Sequence, residues 1–351
     1  MDSGLIAAMA SVGKVLEQVT LPDGSRLLIM PYGGRILGLF PSGDDDNFFW
    51  VNRILRDAAA ARVFFASSQW QNLGGDRTWI GPELDFFFPR YPDLSIYRPP
   101  SPLDGSDYEF SGDGTRLSVG FCVRSARARA PIDLKVTKAI GPAPNPLRHQ
   151  GPQGGLGSLR YAGYTLTSTL TMGTDPPESV AVGIWNLIQL PHGGEMIVPT
   201  YGTHEPAVFF GDLPPGHLRI ERGLARHRMA APGEHKIGFQ ATEVTGRVGY
   251  LHRGPVEAQL VVRNFAVDPS GHYPDQPPKG AHATGYCVEN CNVNNEVLGT
   301  FSELEYHAPA LGPGESVRED VSQVWAYRGQ PEPVALAAEK LLGLARESVW
   351  A

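Results

Sequence analysis

Phe301-Ser302-Glu303-Leu304-Glu305-Tyr306-His307 is the stretch on which the fold turns. Polar and apolar residues alternate along it. In a strand, a period of two places Glu303, Glu305 and His307 on one face and Ser302, Leu304 and Tyr306 on the other. Two carboxylates and an imidazole then share a surface. Like charges two residues apart raise each other's pKa, and an imidazole exchanges protons near neutral pH, which is the equipment of general acid/base catalysis. A solvated strand face carries the same pattern, so the alternation alone does not separate the two.

The same alternation recurs in Leu117–Val123, Ile132–Lys138, Tyr164–Thr171, Lys236–Val244, Val256–Val267 and Ser316–Tyr327, each bounded by turn residues. With 41 Gly and 31 Pro in 351 residues, 42% hydrophobic and 19% charged, the chain is too rich in breakers for long helices and too apolar for disorder. Strands joined by turn-rich loops predict a mainly β sandwich or barrel. Helical spacing of Leu5, Ile6, Met9, Val12, Val15 and Leu16 predicts a helix over 4–19. Pro333 and the apolar residues from Val334 to Val349 predict another over 332–349. Gly141–Gly157 and Asp268–Gly280 read as long surface loops, and no repeat of fixed period divides the chain, so one domain over 1–351 is expected.

The net charge of −7 offers no basic stripe for phosphates, which argues against nucleic acid. The most apolar run, Ala58–Ala66, contains Arg62 and falls far short of the roughly 20 residues that cross a bilayer, so no membrane partner is expected. Three cysteines make no disulfide framework. Cys287 and Cys291 could pair but read as structural, and a reducing cytoplasm is the expected compartment. An acid at the start of the chain, with Lys14 and Glu17 behind it, does not read as a secretory signal.

Two further segments carry chemistry. Gly74-Gly75-Asp76-Arg77-Thr78-Trp79-Ile80-Gly81-Pro82-Glu83-Leu84-Asp85 combines paired glycines, which let a backbone approach a ligand, with the guanidinium fork of Arg77 and the flat face of Trp79, on which a sugar ring can stack. Asp76 and Arg77 could instead pair locally. Val182–Gly202 reads as a strand ending in a turn at Pro191-His192-Gly193-Gly194, with Gln189 and His192 placed at a cleft mouth or simply at an exposed turn. There is no HExxH, no phosphate loop and no G-x-S-x-G elbow, and the spacing of ten histidines and three cysteines predicts no metal site.

Together, the Gly33–Leu39 strand, the Gly-Gly-Asp-Arg loop, the Trp-to-Gln strand and the late Leu-Glu-x-x strand before a proline resemble the galactose mutarotase-like (aldose 1-epimerase) superfamily over roughly residues 20–330, in one of its uncharacterised bacterial branches. The resemblance implies a large antiparallel super-β-sandwich with short terminal helices and a concave face that binds a mono- or oligosaccharide, without metal or organic cofactor. Mutarotases take their base from the glutamate of Leu-Glu-x-Gln. Leu304-Glu305-Tyr306-His307 matches at Glu305, with His307 in place of the glutamine. The family's acid lies in a His-x-Tyr-Phe-Asn motif that this chain lacks, and the comparable strand carries Gln189 with His192 just beyond. Arg77, with Arg53 as a rival, matches the sugar-holding arginine.

The leading expectation is therefore an aldose epimerase-like reaction in which Glu305 takes a proton and His192 or His307 gives one, with Arg77, Trp79, Asp76, Glu83, Gln189 and Glu303 around the sugar. Hydrolysis or elimination of a glycoside, with a carboxylate pair from Glu83, Asp85, Glu303 and Glu305, is the alternative on the same scaffold. A sugar-binding protein without turnover is the third reading.

Overall fold

The computed structural model describes residues 2–151, 153–173, 180–279, 284–312 and 314–350. Its described strands form two sheets. The nine-stranded sheet runs in the order β1 (Glu17–Thr20), β2 (Arg26–Met30), β3 (Arg35–Phe40), β4 (Asp76–Gly81), β9 (Gly183–Pro191), β18 (Gly299–His307), β17 (Val288–Asn295), β14 (Gly233–Phe239), β11 (Ala207–Phe210). The ten-stranded sheet runs β12 (Leu218–Glu221), β13 (Leu224–Arg228), β10 (Glu195–Pro199), β15 (Arg247–Arg253), β16 (Ala258–Phe265), β19 (Val317–Gly329), β8 (Arg160–Met172), β7 (Pro131–Pro142), β6 (Arg116–Arg124), β5 (Glu109–Phe110). Every strand pairing is antiparallel. This is the mainly β, two-sheet architecture expected from the alternation.

The sheets pack face to face over a shared core in which Ile188, Leu304 and Ile237 of the first meet Tyr164, Val261 and Val324 of the second. Strand β7 alternates buried and exposed residues, as a strand with one wet face does, whereas β9 and nearly all of β18 are buried on both faces. The second covered face of β9 and β18 is where the candidate site lies. Helix α5 (Pro331–Leu342) lays Val334, Ala338 and Leu341 over the outer face of the ten-stranded sheet, where Leu260, Val262 and Trp325 receive them. The contact needs a bare backbone at Gly249, because a Cβ there would stand 2.2 Å from Leu342.

Several expected boundaries shift. The N-terminal helix α1 spans Ser3–Ser11 rather than 4–19, since Gly13 takes a φ of 73° and residues 17–20 join the sheet as β1. Helix α5 stops at Leu342 rather than 349 because Gly343 adopts the left-handed conformation. Strand β14 ends at Phe239, and the chain turns before Val244. Ala58–Ala66 is helix α2, capped by Asp57. The expected Gly141–Gly157 loop is shortened by β7, which reaches Pro142, and by a short 3-10 helix over Gln153–Ser158. Cys287 and Cys291 are buried free thiols, and Cys122 is exposed. Among the described residues no helix is long and apolar enough to cross a membrane.

Polar groups also bridge the sheets. Arg263 of β16 donates to Asp76 of β4 at 2.6 Å, Tyr164 donates to the same carboxylate, and Ser322 accepts from Arg263. Both members of the ion pair are fully buried. Removing one partner of a buried pair strands the other, at a cost of roughly 3–5 kcal/mol. Asp76→Ala is expected to lose about that much unfolding free energy in a denaturant titration, and a variant as stable as the parent would show that Arg263 is satisfied by Ser322 alone.

At the far end, His227 of β13 faces His235 of β14 with their Nε2 atoms 2.9 Å apart. Burial lowers the pKa of His227 to about 3 and that of His235 to about 4, and repulsion from each other or from His217 and His192 adds to this. The folded pair is therefore neutral, while the unfolded histidines titrate near 6.5. Stability from this pair is present above about pH 6.5 and is lost as pH falls toward about 4. Thermal midpoints across that window are expected to fall with pH, and less steeply in His227→Gln.

Candidate functional site

Five neighbouring strands of the nine-stranded sheet bring one set of alternating side chains to the face turned away from the second sheet. Register fixes the rows: Glu289, Glu305, Leu187 and Arg77 align across β17, β18, β9 and β4, with Lys236, Cys291, Glu303 and Gln189 beside them and His307, Trp185 and Trp79 in a third row. Over this floor lies a cleft of about 770 Å³, walled by aromatic residues that include Trp70, Tyr97, Phe209 and Phe301.

Glu305 is held by two donors, the Trp185 indole N–H at 3.0 Å and the Lys236 ammonium at 3.0 Å. Lys236 also contacts Glu289 at 2.5 Å and Glu83 at 3.3 Å, and its charge lies 4.6 Å from the Trp185 ring centre. Burial works against charge on Lys236, but Glu289, Glu305 and Glu83 outweigh it and hold the ammonium well above its ordinary pKa. Burial pushes the Glu305 carboxyl well above the usual range, with Lys236 opposing and Glu303 assisting. Arg77 pairs with Glu303 at 2.6 Å and lies 4.0 Å over the Trp79 ring. The floor is thus a row of alternating charges under an apolar vault.

The expected residues divide. Glu303, Glu305, Arg77, Trp79 and Glu83 line the cleft. Trp79 is only 1% exposed, its indole N–H donating to Asp104 and its face taken by Arg77, so it props the guanidinium rather than offering a free platform. Tyr97, 38% exposed at the mouth, offers such a surface. His307 shares the face of Glu305, as the alternation requires, but lies beneath Trp185, stacked on its ring with centroids 5.2 Å apart. Gln189 shares the face but is fully buried beyond the cleft lining.

Five expectations are corrected. Asp76 points the other way, into the core, to meet Arg263. Asp85 is buried against Ser125 and the Arg127 backbone, outside the cleft lining. His192 bonds Asn292, whose neighbour in register, Ser302, reaches Tyr250 of the other sheet, so His192 serves the face opposite Glu305. The turn there carries the chain from β9 in one sheet to β10 in the other. Gly74 and Gly75 serve strands, not a ligand: a Cβ on Gly75 would stand 2.3 Å from the Ile36 carbonyl. Arg53 lies exposed on a short 3-10 turn and lines no part of the cleft.

Sequence reasoning missed Lys236, Glu289, Tyr97 and Asp275. A lysine directly before the Ile237-Gly238-Phe239 end of β14 was the available signal for the first, and the glutamate after Val288 in β17 for the second. Glu289 and Asp275 face His307, with His307 Nε2 3.3 Å and 3.9 Å from their oxygens. Burial raises the Asp275 carboxyl to about 8 and lowers His307 to about 4. Two buried trios hold ligand atoms within 4.8 Å of one another, Asp275–Glu289–His307 and Cys291–Glu303–Glu305. In the second, Arg77 already neutralises Glu303, and burial keeps Cys291 a thiol.

No family model matches the chain, and neither does any curated protein. Among solved structures, it is similar to a galactose mutarotase-like protein from Lactobacillus casei (10% identity, 89% of this chain and 99% of that one, TM-score 0.48). A putative aldose 1-epimerase from Escherichia coli aligns at 12% identity over 91% and 100% of the two chains with a TM-score of 0.46. A galactose 1-epimerase from Lactobacillus acidophilus aligns at 10% over 90% and 95%, with a TM-score of 0.42. At these scores the likenesses decide nothing about chemistry, and the sheets and the cleft carry the reading.

Lys236→Met removes the cation shared by the buried carboxyls of Glu289 and Glu305 and the partly buried Glu83. It is expected to cost roughly 3–5 kcal/mol of stability, measured by denaturant unfolding. A loss below about 1 kcal/mol would mean that the carboxylates are neutral without it.

Proposed function

We propose that this chain is a carbohydrate-active protein whose cleft works on an aldose in the manner of an epimerase, with Glu305 as the base. The observation that carries the reading is the Glu305 carboxylate on the floor of the cleft, fixed by the Trp185 N–H and Lys236 and flanked by the Arg77–Glu303 pair. Charged side chains beneath aromatic walls match what a sugar needs: donors and acceptors for its hydroxyls and flat apolar surface for its C–H faces.

In the proposed reaction Glu305 takes the proton of the anomeric hydroxyl while the ring oxygen receives a proton, the bond between anomeric carbon and ring oxygen breaks, and the open-chain aldehyde re-closes on its other face. His192 faces away, and His307 is covered by Trp185. Lys236, the ammonium 3.0 Å from Glu305, takes the acid's place: the carboxylates that hold its proton include Glu305, and that hold weakens as Glu305 takes up the proton of the hydroxyl. Arg77 and Glu303 hold hydroxyls, and Tyr97 gives the ring a surface. Re-closure reverses both transfers, so the C–O bond is re-formed and each proton returns to where it started.

Anomer exchange in a panel of free aldoses, followed by polarimetry or NMR, tests this. One aldose is expected to be turned over, with Glu305→Gln folded yet at least about 100-fold slower. Arg77→Ala is expected to weaken sugar affinity. Wild-type rates in Glu305→Gln would remove it as the base, and sugar binding without turnover in the parent would leave a binding protein.

A further inference from the structure

Behind the cleft floor, on the far side of the Trp185 ring, three ligand-type side chains converge: Asp275 accepts from the Glu83 N–H through Oδ1 and Glu289 meets Lys236 through Oε2, which leaves one oxygen of each turned toward His307. His307, at the end of β18, has neither ring nitrogen hydrogen-bonded among the described residues, although it is buried. Its Nε2 stands 3.3 Å from Glu289 Oε1 and 3.9 Å from Asp275 Oδ2, two more buried atoms with no hydrogen-bond partner there. Stranding one such buried atom is costly, and here three ligand atoms lie within 4.8 Å of one another.

The 3.3 Å and 3.9 Å separations lie on either side of that in a coordination shell. Oxygen and nitrogen ligands about 2.1 Å from one ion, at near-tetrahedral angles, stand about 3.4 Å apart. The charge points the same way. Glu83, Glu289, Glu303, Glu305 and Asp275 crowd this region against two cations, Lys236 and Arg77, a formal excess of acids that bound protons or a further cation must balance. A divalent ion offsets most of that excess.

We propose that Asp275, Glu289 and His307 bind a divalent transition-metal ion of the zinc or manganese kind, held in the fold behind the catalytic face. The imidazole is rigidly presented, stacked on Trp185 on one side and close to Gly81 on another, where a Cβ would stand 3.1 Å from Nδ1. Two carboxylates and an imidazole suit either metal. None of the three residues lines the cleft, so the ion is structural: it fixes His307, which backs Trp185, which orients Glu305. The inference stands whether or not the cleft turns over a sugar.

The test is metal content and metal-dependent stability of tag-free protein. Protein produced with zinc and manganese supplied is expected to carry about one equivalent per chain by elemental mass spectrometry. Protein refolded with chelator is expected to melt higher when zinc or manganese is added. Both effects should vanish in His307→Ala and, should that variant fold poorly, in the closer replacements Glu289→Gln and Asp275→Asn. They should persist in His227→Ala, which disables the separate histidine pair. Metal-free parent protein with an unmoved melting temperature would overturn the proposal, leaving bound protons to balance the cluster, and so would binding that disappears with His227 but survives the loss of His307.

Discussion

The lysine ammonium buried on β14, one strand in from the edge of the nine-stranded sheet, sets the terms for everything around it. Lys236 meets Glu83, Glu289 and Glu305 from three different segments. A lone buried carboxylate is expensive, and in practice would take up a proton rather than stay charged. One cation among several acids lets the sheet keep ionisable groups on a face where a sandwich would otherwise place leucine. It also draws the turn after β4 and strands β17 and β18 toward β14, so the closure of the cleft and its charge have one cause.

That dependence explains which parts of the molecule could be read from the chain. Glu303, Glu305 and His307 share a face because period two is a local rule, and it holds in β18 whatever the neighbours do. Their surroundings are not local. Lys236 lies 69 positions before Glu305, and Asp275 sits in a loop with no pattern of its own. No spacing rule reaches such pairs, and only strand order in the sheet brings them together. The expectation for His192 failed for the same reason: a strand followed by a turn looks alike whether the chain returns to its own sheet or crosses to the other, and here it crosses.

Burial misled in a more systematic way. Alternation by itself describes a strand with one dry and one wet face, which is true of β6 and β7 near the edge of their sheet. In β4, β9 and most of β18 both faces are covered, one by the second sheet and one by the aromatic vault. Trp79 therefore reads from sequence as a free stacking surface, yet stands in a cluster with Phe87 and Trp185 and under Arg77. The helix boundaries failed more simply, because apolar spacing continued past Gly13 and Gly343, where the backbone turns left-handed.

Adjacent residues in β4 show how tightly fold and site are tied. Asp76 reaches into the core to Arg263, while Arg77 reaches into the cleft to Glu303. Both are ion pairs, both are buried, and one peptide bond separates them. A shift of β4 by a single residue would send each charge to the wrong face, leaving Arg263 unpaired between the sheets and an aspartate facing Glu303. The inner pair thus acts as a register lock for the outer one. Asn186 and Tyr306 do the same for β9 and β18, bonding each other in the core while Trp185 and Glu305, one residue earlier in each strand, bond each other at the cleft. The geometry around Glu305 is therefore set from behind, by hydrogen bonds on the face that no ligand touches.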